Sequence, residues 1–353
     1  MSPDQNHDEG EDEGEDWRSV STRRPDTGSL SRARSRAREP GRGRTADDPA
    51  QIPALGWKDV LWRILYSFPR DRIFTTAGGV AFFTLLSTFP ALATIVSVYS
   101  LFSDPHVISE HLSLLSGVLP SGVLALLSDQ LIRVAQQSAG ALSTASLVSV
   151  LIAFWSANSG VSALFDALNV IYREREKRSL VRFYATTFLF TLSGIVFALT
   201  ATGLVVILPL ALDQLGLGVL TDVTLRLVRW PGLLILVSLG LAVTYRYGPS
   251  RREAKWRWVS WGGVAAAITW VCASVSFSWY VASFDSYNRI YGSLGAGVGF
   301  MTWIWFSVVI VLLGAKLNAE IERQTARDST RGQPKPLGSR EAHAADTIGP
   351  TEG

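Results

Sequence analysis

The chain has 353 residues, of which 48% are hydrophobic and only 18% charged, with a formal net charge of +3 and one cysteine, Cys272. A lone cysteine excludes an intrachain disulfide and a cysteine-rich metal site. The charges crowd into two tails and a few short loops, which excludes an ordinary soluble domain: residues 73–103, 134–165, 183–212, 230–245, 258–284 and 290–315 contain no Asp, Glu, Lys or Arg.

In chain order, residues 1–56 read as a disordered tail. An acidic block, DEGEDEGED (8–16), precedes an arginine-, serine- and glycine-rich run, RRPDTGSLSRARSRAREPGRGR (23–44). Neither has the apolar periodicity needed to bury a core. An Arg-rich run can touch anionic lipid or nucleic acid, but a solvated, self-neutralising tail is the simpler reading. No early apolar segment marks a cleavable signal, so the first span is expected to act as an uncleaved anchor.

Residues 57–72, WKDVLWRILYSFPRDR, place Trp57, Val60, Leu61, Ile64, Leu65 and Phe68 at helical spacing. This predicts an amphipathic helix lying on the membrane surface. The uncharged stretches then predict six transmembrane helices, at about 76–102, 142–165, 184–210, 230–247, 258–282 and 294–316, since a span needs roughly 20 mostly apolar residues. The fourth uncharged stretch is shorter, but Arg229 and Arg246 at its ends can snorkel to the interface. The fold class is therefore all-α: a polytopic membrane domain over 73–320, flanked by disordered tails, the second of them polar and covering 321–353.

Orientation follows from the basic residues near the spans. One side holds Lys58, Arg63, Arg70, Arg72, Arg173, Arg175, Lys177, Arg178, Arg182, Arg246, Arg251, Arg252, Lys255, Arg257, Lys316 and Arg323, sixteen against Arg133, Arg226, Arg229 and Arg289 on the other. The positive-inside rule puts both termini in the cytoplasm. The loop over 104–137 is then the longest outer connection, with two amphipathic pieces split at 120–122.

Within the spans, Asn158 lies near mid-membrane and Asp166 and Asn169 nearer the cytoplasm, in FWSANSGVSALFDALNVIYRERE (154–176). Such groups face a bundle interior or a water-filled cavity, as helix-to-helix glue or as part of a pathway. Asp285, Tyr287, Asn288, Arg289 and Tyr291 precede the last span on the outer side. They form a denser polar cluster than interfacial anchoring requires and are the best candidate for substrate contact. Glycines 292, 295, 297 and 299 follow. They match neither a P-loop, because Val298 stands where lysine is needed, nor a dinucleotide fingerprint. Gly292, Gly295 and Gly299 are expected to pack against another helix, with Gly295 and Gly299 forming a G-x-x-x-G pair; anion binding at the helix start is the lesser reading. At the far end of that span, GAKLNAEIER (314–323) spaces Lys316 and Glu320 for an ion pair.

Enzyme chemistry has little support. His7 and His343 lie in the tails, and His106 and His111 match no zinc signature. No G-x-S-x-G elbow and no Walker motif occurs. No catalytic residue, metal or cofactor is expected.

The segments AGGVAFFTLLSTFPAL (77–92), WSANSGVSALFDALNVIY (155–172), YRYGPS (245–250), FDSYNRIYGSLGA (284–296) and LLGAKLNAEIER (312–323) resemble, in order and spacing, those of the YihY/BrkB family. The resemblance covers about residues 57–323 and implies a six-helix protein of the bacterial inner membrane. Its matching positions are Pro90, Trp155, Asn169, Tyr172, Tyr287, Asn288, Tyr291, Gly292, Gly295, Lys316, Asn318 and Glu320. Members have often been labelled ribonuclease BN, a name that fits poorly because a hydrolytic ribonuclease of that kind needs a metal-binding histidine cluster. Envelope roles, lipid export among them, have been proposed for members.

The leading expectation is transport or export of an amphipathic envelope component such as a lipid, by helices broken at Pro90, Pro209 and Pro231. Membrane lipids, a second copy of the chain and envelope proteins are the expected partners; nucleic acid is not. The alternatives are a scaffold recruiting partners through its charged tails and, below it, the ribonuclease of the family label.

Overall fold

The computed structural model describes residues 27–100, 144–202, 219–283 and 293–352. The long outer loop, Pro209 and the polar cluster at 285–291 lie outside the described residues. In chain order come α1 (Thr27–Arg36), a 3₁₀ turn (Pro49–Gln51), α2 (Ala54–Ser67), α3 (Ile73–Ser100), α4 (Thr144–Tyr172), α5 (Leu180–Thr202), α6 (Val219–Tyr247), α7 (Trp256–Ser283), α8 (Ser293–Glu322) and the short α9 (His343–Asp346). Among the described residues the one β pairing is an isolated bridge between Ala254 and Thr330.

Helices α3 to α8 each overlap one of the six uncharged stretches, and a helix satisfies its backbone internally, as a membrane crossing requires. Among the described residues, 180–198, 256–280 and 297–322 are long and apolar enough to cross a membrane, and the segments 73–87 and 231–247 are apolar but shorter. The prolines do not break their helices: α3 runs through Pro90 and α6 through Pro231. Proline removes one backbone donor, and the intact turns on either side hold the helix together.

The core is built at one end of the bundle. Ala77, Val80 and Ala81 of α3 meet Leu168 and Tyr172 of α4, Tyr245 of α6 and Leu312 and Ala315 of α8. Small residues let the helix backbones approach. The closest approach joins α7 to α8. A Cβ at Gly262 would stand 2.5 Å from Asn318 Cγ and against the Gly314 carbonyl, and one at Gly314 would stand 2.5 Å from Tyr245 Oη. At Gly299, by contrast, no described atom lies within 4 Å of where a Cβ would stand. Among the described residues the closest helix approaches are at Gly262 and Gly314, while the surroundings of Gly292 and Gly295 lie outside the described residues. Away from this core the helices turn apolar side chains outward, among them Leu189, Leu192 and Val196 on α5 and Val275 and Trp279 on α7. Such a surface suits lipid rather than water.

Two expectations about the flanks are corrected. Residues 27–53 and 323–352 are not loose tails but pack on each other at the core end: Thr325 Oγ1 donates to Ala46 O at 2.6 Å, Ala326 N to Arg44 O at 2.8 Å and Arg44 Nη2 to Gly349 O at 3.0 Å. Arg340 donates to the carbonyls of Ala326, Arg327 and Ala345. This interior is made of side-chain-to-backbone hydrogen bonds, so it leaves no apolar period to read in the sequence. In α2, Asp59 and Arg63 face inward and are buried, while Leu61 and Leu65 face outward. The apolar set is therefore split: Leu61 and Leu65 point away from the protein, as an interfacial helix requires, while Val60 is buried and Trp57, Ile64 and Phe68 pack on the body beside the buried Asp59 and Arg63.

Candidate functional site

The last two turns of α8 place Lys316, Asn318, Glu320 and Glu322 in the interior, each no more than 2% exposed. Glu320 is the hub. Its Oε2 accepts from Arg63 Nε at 2.8 Å, and its Oε1 lies 2.9 Å from Arg323 Nη1 and 3.0 Å from Lys316 Nζ. Lys316 also reaches Asp71 Oδ2 at 2.6 Å. The expected i,i+4 pair is thus present inside a five-member cluster that ties α2, the α2–α3 connection and α8 together.

Asn318, two residues before Glu320 and so on another side of α8, enters the side of α7. Its Oδ1 accepts from Gly262 N at 2.7 Å and its Nδ2 donates to Val259 O at 3.0 Å. Glu322 takes Arg251 bidentately at 2.6 and 3.1 Å and accepts from Ser329 Oγ at 2.9 Å, with the Arg251 guanidinium 4.3 Å above the Tyr172 ring. Stacking and a forked pair suit arginine and not lysine. At the end of α4, Asn169 accepts from Ser250 N at 2.7 Å and donates to Glu176 at 3.1 Å.

The loop after α4 carries shifted groups. Burial works against ionisation of Glu176, but hydrogen bonds from the Arg178 side chain and backbone, and from Asn169, hold its carboxyl down to about 2. Burial pushes Glu174 up, partly offset by Lys177 and by the His343 backbone N–H, which donates to it at 2.6 Å. Burial, then the nearby Arg323 and Arg173, lower His343 to about 3, so its ring stays neutral.

Further along α4, Asn158 is buried and Thr191 Oγ1 of α5 donates to its Oδ1 at 3.2 Å. Of the six expected intramembrane polar residues, Asn158, Asn169, Lys316, Asn318 and Glu320 face the interior, whereas Asp166 is on the exposed side of α4. Sequence reasoning missed Arg63, Asp71, Arg251 and Glu322 as site members. Arg63 and Arg251 counted only as charges fixing orientation; their pairing across 257 and 71 residues left no local signal.

Chemically, the α8 cluster is a closed ionic lock. Glu320 has both oxygens occupied by cations, and no serine or cysteine stands beside a free base in it. Among the described residues no group of three or more His, Cys, Asp or Glu could hold a metal ion.

The model of the family described as virulence factor BrkB matches residues 64–337. Over 252 residues the chain is 27% identical to a Bacillus subtilis protein named putative ribonuclease-like protein YfkH, covering 70% of this chain and 90% of that one. It is 28% identical over 296 residues to a UPF0761 membrane protein of Stenotrophomonas maltophilia, covering 83% and 63%, and 28% identical over 281 residues to one of Nitrosospira multiformis, covering 76% and 62%. The match therefore takes in under two thirds of those last two relatives' length. No solved structure matches the chain.

Proposed function

Because the chain belongs to the virulence factor BrkB family of membrane proteins, we propose that it is a multi-pass protein of the bacterial inner membrane that moves an amphipathic envelope component such as a lipid. Six crossings with both termini cytoplasmic accompany this reading. In its support, residues 27–53 and 323–352 lie at the same end of the bundle, as an even number of crossings requires, and that end carries the basic loops. The orientation is tested by impermeant labelling of single cysteines in a Cys272→Ser background: labelling from outside at 173–179 or 248–255 sinks it.

The observation that carries the transport reading is the attachment of α5. The core end of the bundle is closed by buried ion pairs, but α5 exposes most of its length and meets α4 through ring contacts and the Asn158–Thr191 hydrogen bond. A polar contact between lipid-exposed helices is worth about 0.6 kcal/mol on average in such settings. It positions a helix that can swing away and let a lipid enter sideways. The outer cluster of Asp285, Tyr287, Asn288, Arg289 and Tyr291 is proposed as the headgroup contact.

The test compares lipid composition of inner and outer membranes with the gene, without it and with Thr191→Val. Deletion should shift one lipid class between the membranes, and Thr191→Val should reproduce part of the shift with an unchanged melting curve. Identical lipid distributions in all three strains would end the transport reading. Recruitment of partners through the charged tails is the alternative reading: Arg44 and Arg340 spend their charge inside the protein, whereas Arg32, Arg34, Arg38 and Arg327 are exposed. The name of the Bacillus relative supplies the remaining alternative, and an RNA-cleavage assay on purified protein decides it.

A further inference from the structure

We propose that the cleft between the α6–α7 loop and the carboxy-terminal segment binds a phosphate group, carried by a small soluble molecule or by a lipid headgroup. The inference stands on this cleft alone and does not need the transport reading. The cleft has a volume of about 430 Å³ and is lined by Arg251, Arg252, Glu253, Arg331 and Gly332. Its two walls are stitched by backbone hydrogen bonds: Lys255 N to Ser329 O at 2.8 Å, Arg331 N to Glu253 O at 2.8 Å and Arg252 N to Glu341 O at 3.2 Å. The arginines are therefore presented from fixed backbone.

Arg251, Arg252 and Arg331 line the cleft with Glu253, which is engaged by Arg246 at 3.0 Å and Arg331 at 3.4 Å, while Arg251 is paired behind the lining with Glu322, leaving Arg252 as the lining arginine with no ion pair among the described residues. The Arg251 side chain is fully buried; Glu322 takes both of its terminal nitrogens, and its Nε has no protein acceptor. Arg252 Nη1 is also buried without an acceptor, and its Nη2 reaches only Gln333 O at 3.4 Å. Leaving charged donors buried and unmatched is costly. An anion with several acceptor oxygens in the cleft would face Arg252 and the 71% exposed Arg331 side chain. Phosphate supplies such oxygens and matches the guanidinium fork. Gly332 keeps room for this: a Cβ there would stand 2.8 Å from Arg252 Nη2, and its φ of +97° suits glycine.

The test uses the purified full-length chain in detergent, titrated calorimetrically with inorganic phosphate at ionic strength held constant with chloride. Wild type should bind phosphate, and Arg252→Gln should weaken binding by about tenfold or more, as loss of a charge-assisted fork does. Arg327→Gln, an exposed arginine outside the cleft, should leave it unchanged. A melting curve accompanies each variant. If Arg252→Gln does not fold, Arg331→Gln replaces it, since that side chain is 71% exposed. No phosphate binding by wild type, or equal binding by the folded cleft variants, overturns the proposal. Dihexanoyl phosphatidic acid below its micelle threshold then separates the sources. Affinity about tenfold above that of inorganic phosphate assigns a lipid headgroup, and equal or lower affinity assigns a soluble phosphate compound.

Discussion

Glu320 holds three cations within 3.0 Å while almost wholly buried. Removing its charge leaves Arg63, Lys316 and Arg323 facing Asp71 alone, and stranded buried charge typically costs about 3–5 kcal/mol. Glu320→Gln should therefore lower stability by that order in chemical denaturation, whereas Lys58→Ala, which breaks an exposed pair with Glu352, should change it by no more than about 0.5 kcal/mol. A second residue-scale expectation concerns acid. His343 is lowered to about 3 from its ordinary 6.5. The folded state thus refuses a proton that the unfolded chain accepts, so stability is fully present above pH 6.5 and is lost as pH falls toward 3. Glu174 shifts upward and acts in the opposite sense, so the effect is isolated by comparison. The melting temperature of wild type minus that of His343→Asn should fall as pH drops from 7.5 to 4.5; a flat difference would refute it.

At the scale of elements, Lys316, Asn318 and Glu320 show what a local pattern can carry. Their placement on one α8 segment was legible because i,i+4 spacing is local, but Arg63 reaches Glu320 and Arg251 reaches Glu322 from elements far away in the chain. The glycines teach the same lesson in reverse. The G-x-x-x-G pair was visible, yet a small residue records only that no side chain is there and not that a neighbour fills the space. Gly262→Ala should destabilise the α7–α8 contact by about 1–3 kcal/mol, the range for overpacking, since its Cβ would meet Asn318 and the Gly314 carbonyl. Gly299→Ala meets no described atom and replaces a poor helix former, so it should be neutral or stabilising by up to about 1 kcal/mol. Thermal melts of the two variants in detergent check the contrast.

For the molecule as a whole, the carboxy-terminal segment is part of the folded body. It supplies Ser329 to Glu322, backbone partners to Lys255 and Arg252, and carbonyls to Arg44 and Arg63. Truncation after Gln324 should thus lower the melting temperature of the membrane domain itself. An unchanged melting curve would mean that the segment is dispensable to the bundle.

The sequence alone determined that the protein is helical, membrane-embedded and divided into apolar stretches by basic loops, because lipid imposes a long-range and nearly one-dimensional constraint on where charge can stand. It also carried the family through motifs that are contiguous in the chain. Tertiary structure alone decided which arginines leave the orientation-setting surface to enter buried pairs, which glycines sit at a contact, and that polar flanks fold. Those outcomes depend on which distant groups meet. A hydrogen bond between residues 280 positions apart, as from Arg44 to the Gln324 carbonyl, leaves no periodic trace in either segment that makes it.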